Sequence, residues 1–374
     1  MDKEYLTGSQ VHSQSPGRIG SLDGLRGIAI LSVVLLHWLI RPNRESIESV
    51  SLQLYEALNQ TAHGVDIFFV ISGFLIGRIL LSRSENHGFL KAFYIRRFLR
   101  IVPLYFAVIF LFFVVRLLFG GYPADVAPIW SYFLFVNNLL NAYGTPNIDE
   151  FGAYWSLAIE EQFYLSSALL AVFLGRKGVV SLAVMFVLGS LITRAAVAMS
   201  FFDVGVWTFT FGHTDPIGIG LLVAAALQSP QVSNMLKNHI TLVRLIGLLS
   251  FIAFVMPVST TSGSRSFGID IFLISISVGS WILIKFLAQP SSLLAVKPLR
   301  CVGEMSFSLY ILHVGWATYA GLVLDISGDF KAVNMLISFV LLLIVCRFLW
   351  VFVESPLITL GHNWRYSEEG FKGT

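Results

Sequence analysis

The chain has 374 residues, of which 56% are hydrophobic and only 13% charged, with a net charge of +3 and a mean hydropathy of +0.76. A soluble domain carries roughly 25% charged residues, so this composition cannot furnish a polar coat and points to a lipid bilayer as the surrounding medium. The small net charge argues against nucleic acid as a partner, and the two cysteines, Cys301 and Cys346, exclude a disulfide framework and a CxxC metal site.

In chain order, residues 1–17 are polar and read as a cytoplasmic tail rather than a cleavable signal peptide, and the first apolar run is an anchor that is retained. Apolar segments follow at 22–40, 64–82, 99–119, 155–174, 179–200, 206–227, 241–258, 268–288, 305–324 and 333–353, each close to the ~20 residues a spanning helix needs. The run 129–140 is too short to span and carries Asn137 and Asn138, which marks it as re-entrant or interfacial. With the N-terminus inside, the inner loops collect Arg83, Lys91, Arg96, Arg97, Arg176, Lys177, Lys237, Lys297 and Arg300, and the outer loops hold Arg41, Arg44 and Arg265 among more acids. The expected fold is an all-α polytopic bundle of about ten spanning helices plus one short segment. Its membrane domain is 18–358, followed by a cytoplasmic tail at 359–374, with both termini inside.

Ionisable groups within spans usually mark a pathway or a site. In the first span Arg26 and His37 are eleven residues apart, three turns plus about 20°, so they share one stripe roughly 16 Å long. Gly24 and Gly27 beside Arg26 would let a backbone or a ligand come close. Asp66 opens the second span, where it can hold a histidine in one tautomer or stand as a rim carboxylate in water, and Ser72-Gly73 reads as a close helix crossing. Arg96, Arg97 and Arg100, on a loop entering the third span, either set orientation or clamp phosphates with their guanidinium forks. In the fourth span Glu160 and Glu161 face about 100° apart. One can meet His37 and the other an arginine, or they form a structural ion pair with Arg194, while Trp155 and Tyr164 can stack on a sugar ring. The sixth span is broken around His213-Thr214-Asp215-Pro216, and in the ninth Tyr310 and His313 are i,i+3 neighbours that line a site or bond across the bundle.

The arginines gather inside, and the His, Asp, Glu, Trp and Tyr groups gather outside. This layout suits a cytoplasmic polyanionic donor whose reactive end reaches outward, such as an acyl-CoA thioester. Its nucleotide end would rest on Arg96, Arg97 and Arg100 and its arm would pass Arg26, and His37 would take the acceptor hydroxyl proton or carry the acyl group. Neither an HExxH spacing nor a Gly-x-Ser-x-Gly elbow is present, so no metal is expected.

Five strings in order resemble the acyltransferase-3 family. They are Leu22-Asp23-Gly24-Leu25-Arg26-Gly27 with His37, Gly64-Val65-Asp66 through Gly73-Phe74-Leu75-Ile76, Arg96-Arg97-Phe98-Leu99-Arg100, Trp155-Ser156-Leu157 through Glu160-Glu161-Gln162-Phe163-Tyr164, and Ser308-Leu309-Tyr310-Ile311-Leu312-His313, with Glu354-Ser355-Pro356 as a late addition. The resemblance runs over 18–358. It implies transfer of acetyl or longer acyl groups to a carbohydrate acceptor of the cell surface, in a bacterial inner or plasma membrane. It also implies Arg26 and His37 as the essential pair and Arg97 and Arg100 as a paired-arginine motif. The longer members carry a fused extracytoplasmic esterase-like domain that this chain lacks, which raises a periplasmic or extracellular partner protein as the final acyl recipient. Two other readings compete: a transporter of an anionic or acylated solute, and a non-catalytic subunit of an acylation complex.

Overall fold

The computed structural model describes residues 20–119, 121, 123–255, 269–289, 293–323 and 331–364. The expected tail at 1–17, most of that at 359–374 and the loop containing Arg265 lie outside the described residues. Among those described there is no β-strand.

The helices are α1 (Gly20–Leu35, continued by a π-turn at Leu36–Ile40), α2 (Arg44–Val50), α3 (Leu52–Asn59), α4 (Gly64–Arg83), α5 (Phe89–Phe119), α6 (Ile129–Phe133), α7 (Asn137–Ala142), α8 (Trp155–Ala198), α9 (Asp215–Gln228), α10 (Pro230–Asn238), α11 (Ile240–Val255), α12 (Ile269–Ala288), α13 (Lys297–Glu304), α14 (Ser306–Val323), α15 (Lys331–Leu349) and α16 (Ser355–His362). Local chemistry sets several of these starts. Proline stands in the first turn of α9, α10, α13 and α16, where its missing N–H costs nothing. Ser51 caps α3 by accepting a hydrogen bond from the Leu54 N–H at 3.2 Å.

Six segments among the described residues are long and apolar enough to cross a bilayer: Gly20–Val50, Leu52–Arg83, Phe89–Leu118, Trp155–Ala198, Ile269–Ala288 and Ala332–His362. A seventh counts if α9 and α10, bent by 97°, form one span. Phe110, Phe173 and Leu336 expose most of their side chains from such segments, as a lipid-facing surface requires. Buried Phe69, Tyr105, Tyr132, Tyr154 and Phe163 fill the interior between α4, α5, α8 and α14.

A straight helix of the 44 residues in α8 would be about twice as long as the hydrocarbon core is thick. It breaks at Gly175, whose φ of 54° and ψ of −143° are non-helical. A Cβ on Gly178 would lie 2.5 Å from the Leu170 carbonyl oxygen, whereas eight residues of straight helix rise about 12 Å. The chain therefore doubles back here, as the two expected segments 155–174 and 179–200 require.

Two expectations are corrected. The arginine-rich stretch is helical rather than a loop, because α5 starts at Phe89 and buries Phe89, Ala92 and Phe93. The expected span 206–227 is helical only from Asp215, where Pro216 starts α9. A third expectation agrees with the structure: the run 129–140 does not span but forms two short helices, with Asn137 and Asn138 buried.

Glycines permit two very close crossings. At the first, Cβ atoms on Gly24 and Gly303 would stand 1.6 Å from the Leu294 oxygen and 1.7 Å from the Asp23 oxygen, so α1 touches α13 and the short turn Leu293–Ala295 before it backbone to backbone. At the second, Gly73 and Gly220 would meet the Ile217 and Val70 oxygens at 2.2 Å each, confirming the expected crossing at Ser72-Gly73, here between α4 and α9. Gly303→Val is predicted to force α1 and α13 apart and lower stability by about 1–3 kcal/mol. An unchanged unfolding midpoint in detergent would refute that.

Candidate active site

A cavity of about 470 Å³ lies between α1, α4, α5, α8, α13, α14 and α16. One part of its wall is cationic: Arg26 from α1, Arg78 from α4, and Arg97 and Arg100 from α5, one turn apart on one face. Arg26 stands 3.5 Å from Asp23. Among the described residues no carboxylate is within salt-bridge distance of Arg78, Arg97 or Arg100. The Arg97 guanidinium lies over the rings of Phe93 and Tyr164, at 5.8 and 5.2 Å. Half-buried guanidiniums that lack a carboxylate partner among the described residues, as Arg78, Arg97 and Arg100 do, can attract an anion.

Glu160 faces this cluster and accepts hydrogen bonds from the Ser72 and Tyr164 hydroxyls. The next level of the wall is Ser156 and Tyr310. Tyr310 donates to the Ala153 carbonyl at 2.6 Å, so the Ser156 hydroxyl, also 2.6 Å from the phenol oxygen, is the donor to it.

Beyond Tyr310 come two histidines in series, with ring centroids 5.6 Å from Tyr310 to His313 and 5.0 Å from His313 to His37. Each ring is set by its own helix. His37 Nδ1 lies 2.9 Å from the Val33 carbonyl and His313 Nδ1 2.6 Å from the Tyr310 carbonyl. A carbonyl only accepts, so both Nδ1 atoms carry the hydrogen and both Nε2 atoms present a lone pair when the rings are neutral. His37 Nε2 accepts from Arg41 at 3.2 Å. His313 Nε2 is buried and has no hydrogen-bond partner. Trp38 donates to the His313 carbonyl at 2.9 Å and ties the π-turn of α1 to α14.

Of the residues picked out from the sequence, the cavity brings together Arg26, Arg97, Arg100, Glu160, Tyr164 and Tyr310. His37 and His313 stand just past Tyr310. The others lie elsewhere. Arg96 donates twice to the Trp364 carbonyl, at 3.1 and 2.6 Å. Glu161 lies off the cavity wall with a buried Oε1 that lacks a partner. Trp155 is buried against Phe69, Trp207 and His213, so its ring is closed to a sugar in this conformation.

The expected partner of Asp66 is present twice over: His63 Nδ1 at 2.6 Å and His213 Nε2 at 2.5 Å. His213 Nδ1 also faces the Trp207 carbonyl at 2.8 Å, so both of its nitrogens meet acceptors and a proton is shared with buried Asp66. The alternative ion pair of Glu160 or Glu161 with Arg194 is corrected: Arg194 forms a bidentate pair with Asp215, at 2.9 and 3.0 Å. Neither Glu160 nor Glu161 bonds His37: Glu160 accepts from Ser72 and Tyr164, and His37 Nε2 meets Arg41. Sequence reading missed Arg78 and His63; the signal for Arg78 was a cation inside a span, for His63 its place three residues before Asp66.

The fold and cavity define a multi-pass membrane domain whose internal cavity runs from a cluster of arginines to a tyrosine with two imidazoles beyond it. The chain belongs to the acyltransferase domain family, whose model matches residues 19–353. It is 29% identical to the peptidoglycan O-acetyltransferase OatA of Listeria monocytogenes, over 91% of this chain and 56% of that protein. It is 29% identical to the putative peptidoglycan O-acetyltransferase YrhL of Bacillus subtilis, over 94% of this chain and 56% of that protein. Against the O-acetyltransferase OatA of Staphylococcus aureus the identity is 28%, over 93% of this chain and 58% of that protein. The chain thus spans little more than half the length of these relatives. No solved structure matches it.

Proposed function

We propose that this protein is a membrane O-acetyltransferase. It takes an acetyl group from acetyl-CoA on the cytoplasmic side and delivers it across the bilayer to a hydroxyl of a cell-wall carbohydrate. One observation carries the reading: a single cavity joins a cluster of guanidiniums, three of them without a carboxylate partner among the described residues, to Tyr310, beyond which His313 and His37 follow. The O-acetyltransferase names of the relatives support it.

The donor phosphates bind Arg97 and Arg100, and the pantetheine arm runs past Arg26 and Glu160 toward Tyr310. The acceptor hydroxyl displaces Arg41 from His37 Nε2, which takes the hydroxyl proton as the alkoxide attacks the thioester carbonyl. The C–S bond breaks, the ester forms, and the proton passes to the leaving thiolate, so acetyl-CoA and alcohol become ester and free coenzyme A. A topology of about ten spans with both termini inside suits this direction, and the doubling-back at Gly175 and the shorter apolar helix α11 support it. Final delivery through an extracytoplasmic partner protein is compatible with the same chemistry.

The test uses purified protein in liposomes with acetyl-labelled acetyl-CoA on the side of the arginine cluster and a peptidoglycan fragment on the other. Labelled ester on the glycan with stoichiometric free coenzyme A is the expected result. Passage of intact solute without ester formation would make the protein a carrier, and cellular acylation that survives His37→Ala would make it a scaffold.

A further inference from the structure

Arg78 is a cation of the cavity that no motif in the chain announces. It lies on α4 six residues beyond Ser72, about 9 Å further along the helix axis. Its guanidinium is placed by two aromatic rings, Phe74 of the same helix at 5.7 Å and Phe286 of α12 at 5.3 Å. Such contacts rest on the ring π-faces and commit no N–H donor to an acceptor atom. No hydrogen bond links those donors to a described residue. The carboxylates on the cavity wall are engaged elsewhere: Asp23 with Arg26 at 3.5 Å, Glu304 with Arg347 at 3.4 Å, and Glu160 with the Ser72 and Tyr164 hydroxyls.

The cavity therefore holds two cationic centres. One is the group of Arg26, Arg97 and Arg100 at the level of Tyr164 and Glu160. The other is Arg78, displaced along α4 toward its C-terminal end, with Ser355 and Thr359 of α16 also on the wall. A pyrophosphate alone would occupy the first and leave the second empty. A donor with a second phosphoryl group, set apart on the ribose, fills both.

We infer that Arg78 binds the ribose 3′-phosphate of the coenzyme A donor, as a subsite separate from the pyrophosphate cradle of Arg97 and Arg100. This rests on the acyl-CoA reading above. A phosphate monoester is close to a dianion at neutral pH, and its oxygens match the free edge of the guanidinium. The subsite makes the enzyme selective for coenzyme A over 3′-dephospho-coenzyme A.

The experiment measures binding of acetyl-CoA and acetyl-3′-dephospho-CoA to the detergent-purified full chain and to Arg78→Gln. The wild type is expected to bind the dephospho donor about tenfold more weakly, the size of one charge-assisted contact. Arg78→Gln is expected to lose about the same factor for acetyl-CoA and to leave the dephospho donor within about twofold. Equal wild-type affinity for the two donors would overturn the inference and leave the donor reading intact. So would an Arg78→Gln that weakens both alike, or one that weakens neither because the side chain only reaches for lipid headgroups. Binding of neither donor by the wild type would remove the donor reading and this inference together. The wild-type comparison needs no variant, so it decides the matter even if Arg78→Gln fails to fold.

Discussion

His37→Ala is expected to lower acetyl transfer by about 10²–10⁴-fold, the range a positioned acid–base group contributes, while the protein still folds and binds its donor. His37 Nδ1–H is committed to the Val33 carbonyl, so Nε2 is the nitrogen left for a reacting proton, and the π-turn at Leu36–Ile40 sets it beside α14. His313 is turned the same way by the Tyr310 carbonyl, but it is fully buried, and Arg41 reaches His37 instead. The side chain of His37 makes no contact that holds two helices together by hydrogen bonding. Its removal should therefore leave the unfolding midpoint within about 1 kcal/mol of wild type. The measurement pairs the turnover rate with donor affinity. A variant that keeps full turnover removes His37 from the chemistry, and one that loses donor affinity in proportion to rate moves it from proton transfer to binding.

Arg194→Met is expected to cost about 3–5 kcal/mol of stability, because it strands the Asp215 carboxylate in the interior. Arg194 and Asp215 are both buried, joined by two hydrogen bonds, and Arg194 also reaches the Gly212 carbonyl at 3.0 Å. Ser190 adds to the same knot by accepting from the Thr214 and Asp215 N–H groups, at 2.9 and 3.1 Å. The knot ties the second limb of α8 to the start of α9, where helical bonding begins again after the break at His213. The double variant Arg194→Met with Asp215→Leu is expected to recover a large part of the loss, since neither charge is then left alone. Thermal unfolding in detergent reads both. Equal midpoints for the single and the double variant would show that the carboxylate was never desolvated by the fold.

How far the site could be read beforehand depends on the separation of its parts. Arg26 with His37, and Arg97 with Arg100, lie within single helices, where 1.5 Å and 100° per residue place one side chain relative to the next. The glycines at 24, 73, 220 and 303 mark places where backbones meet, whatever the partner. By contrast, Arg194 chose Asp215 over Glu160 or Glu161, Glu160 chose Ser72, and His37 lies against His313, far away in the chain. Arg78 packs on Phe286 of α12 and shares the cavity wall with α16, and the one local sign of it was a cation inside a span.

What the sequence determined by itself is the medium, the helical class, the position of the long apolar helices and the presence of charges that a bilayer does not tolerate without purpose. Composition and period suffice for these, because each backbone must satisfy its own hydrogen bonds in lipid. Only the tertiary structure decided which faces meet. A spanning helix is apolar nearly all round, so no polar stripe records its rotation. That rotation is set by close packing with neighbours distant in the chain, and it alone brings the arginine cluster and the two imidazoles together.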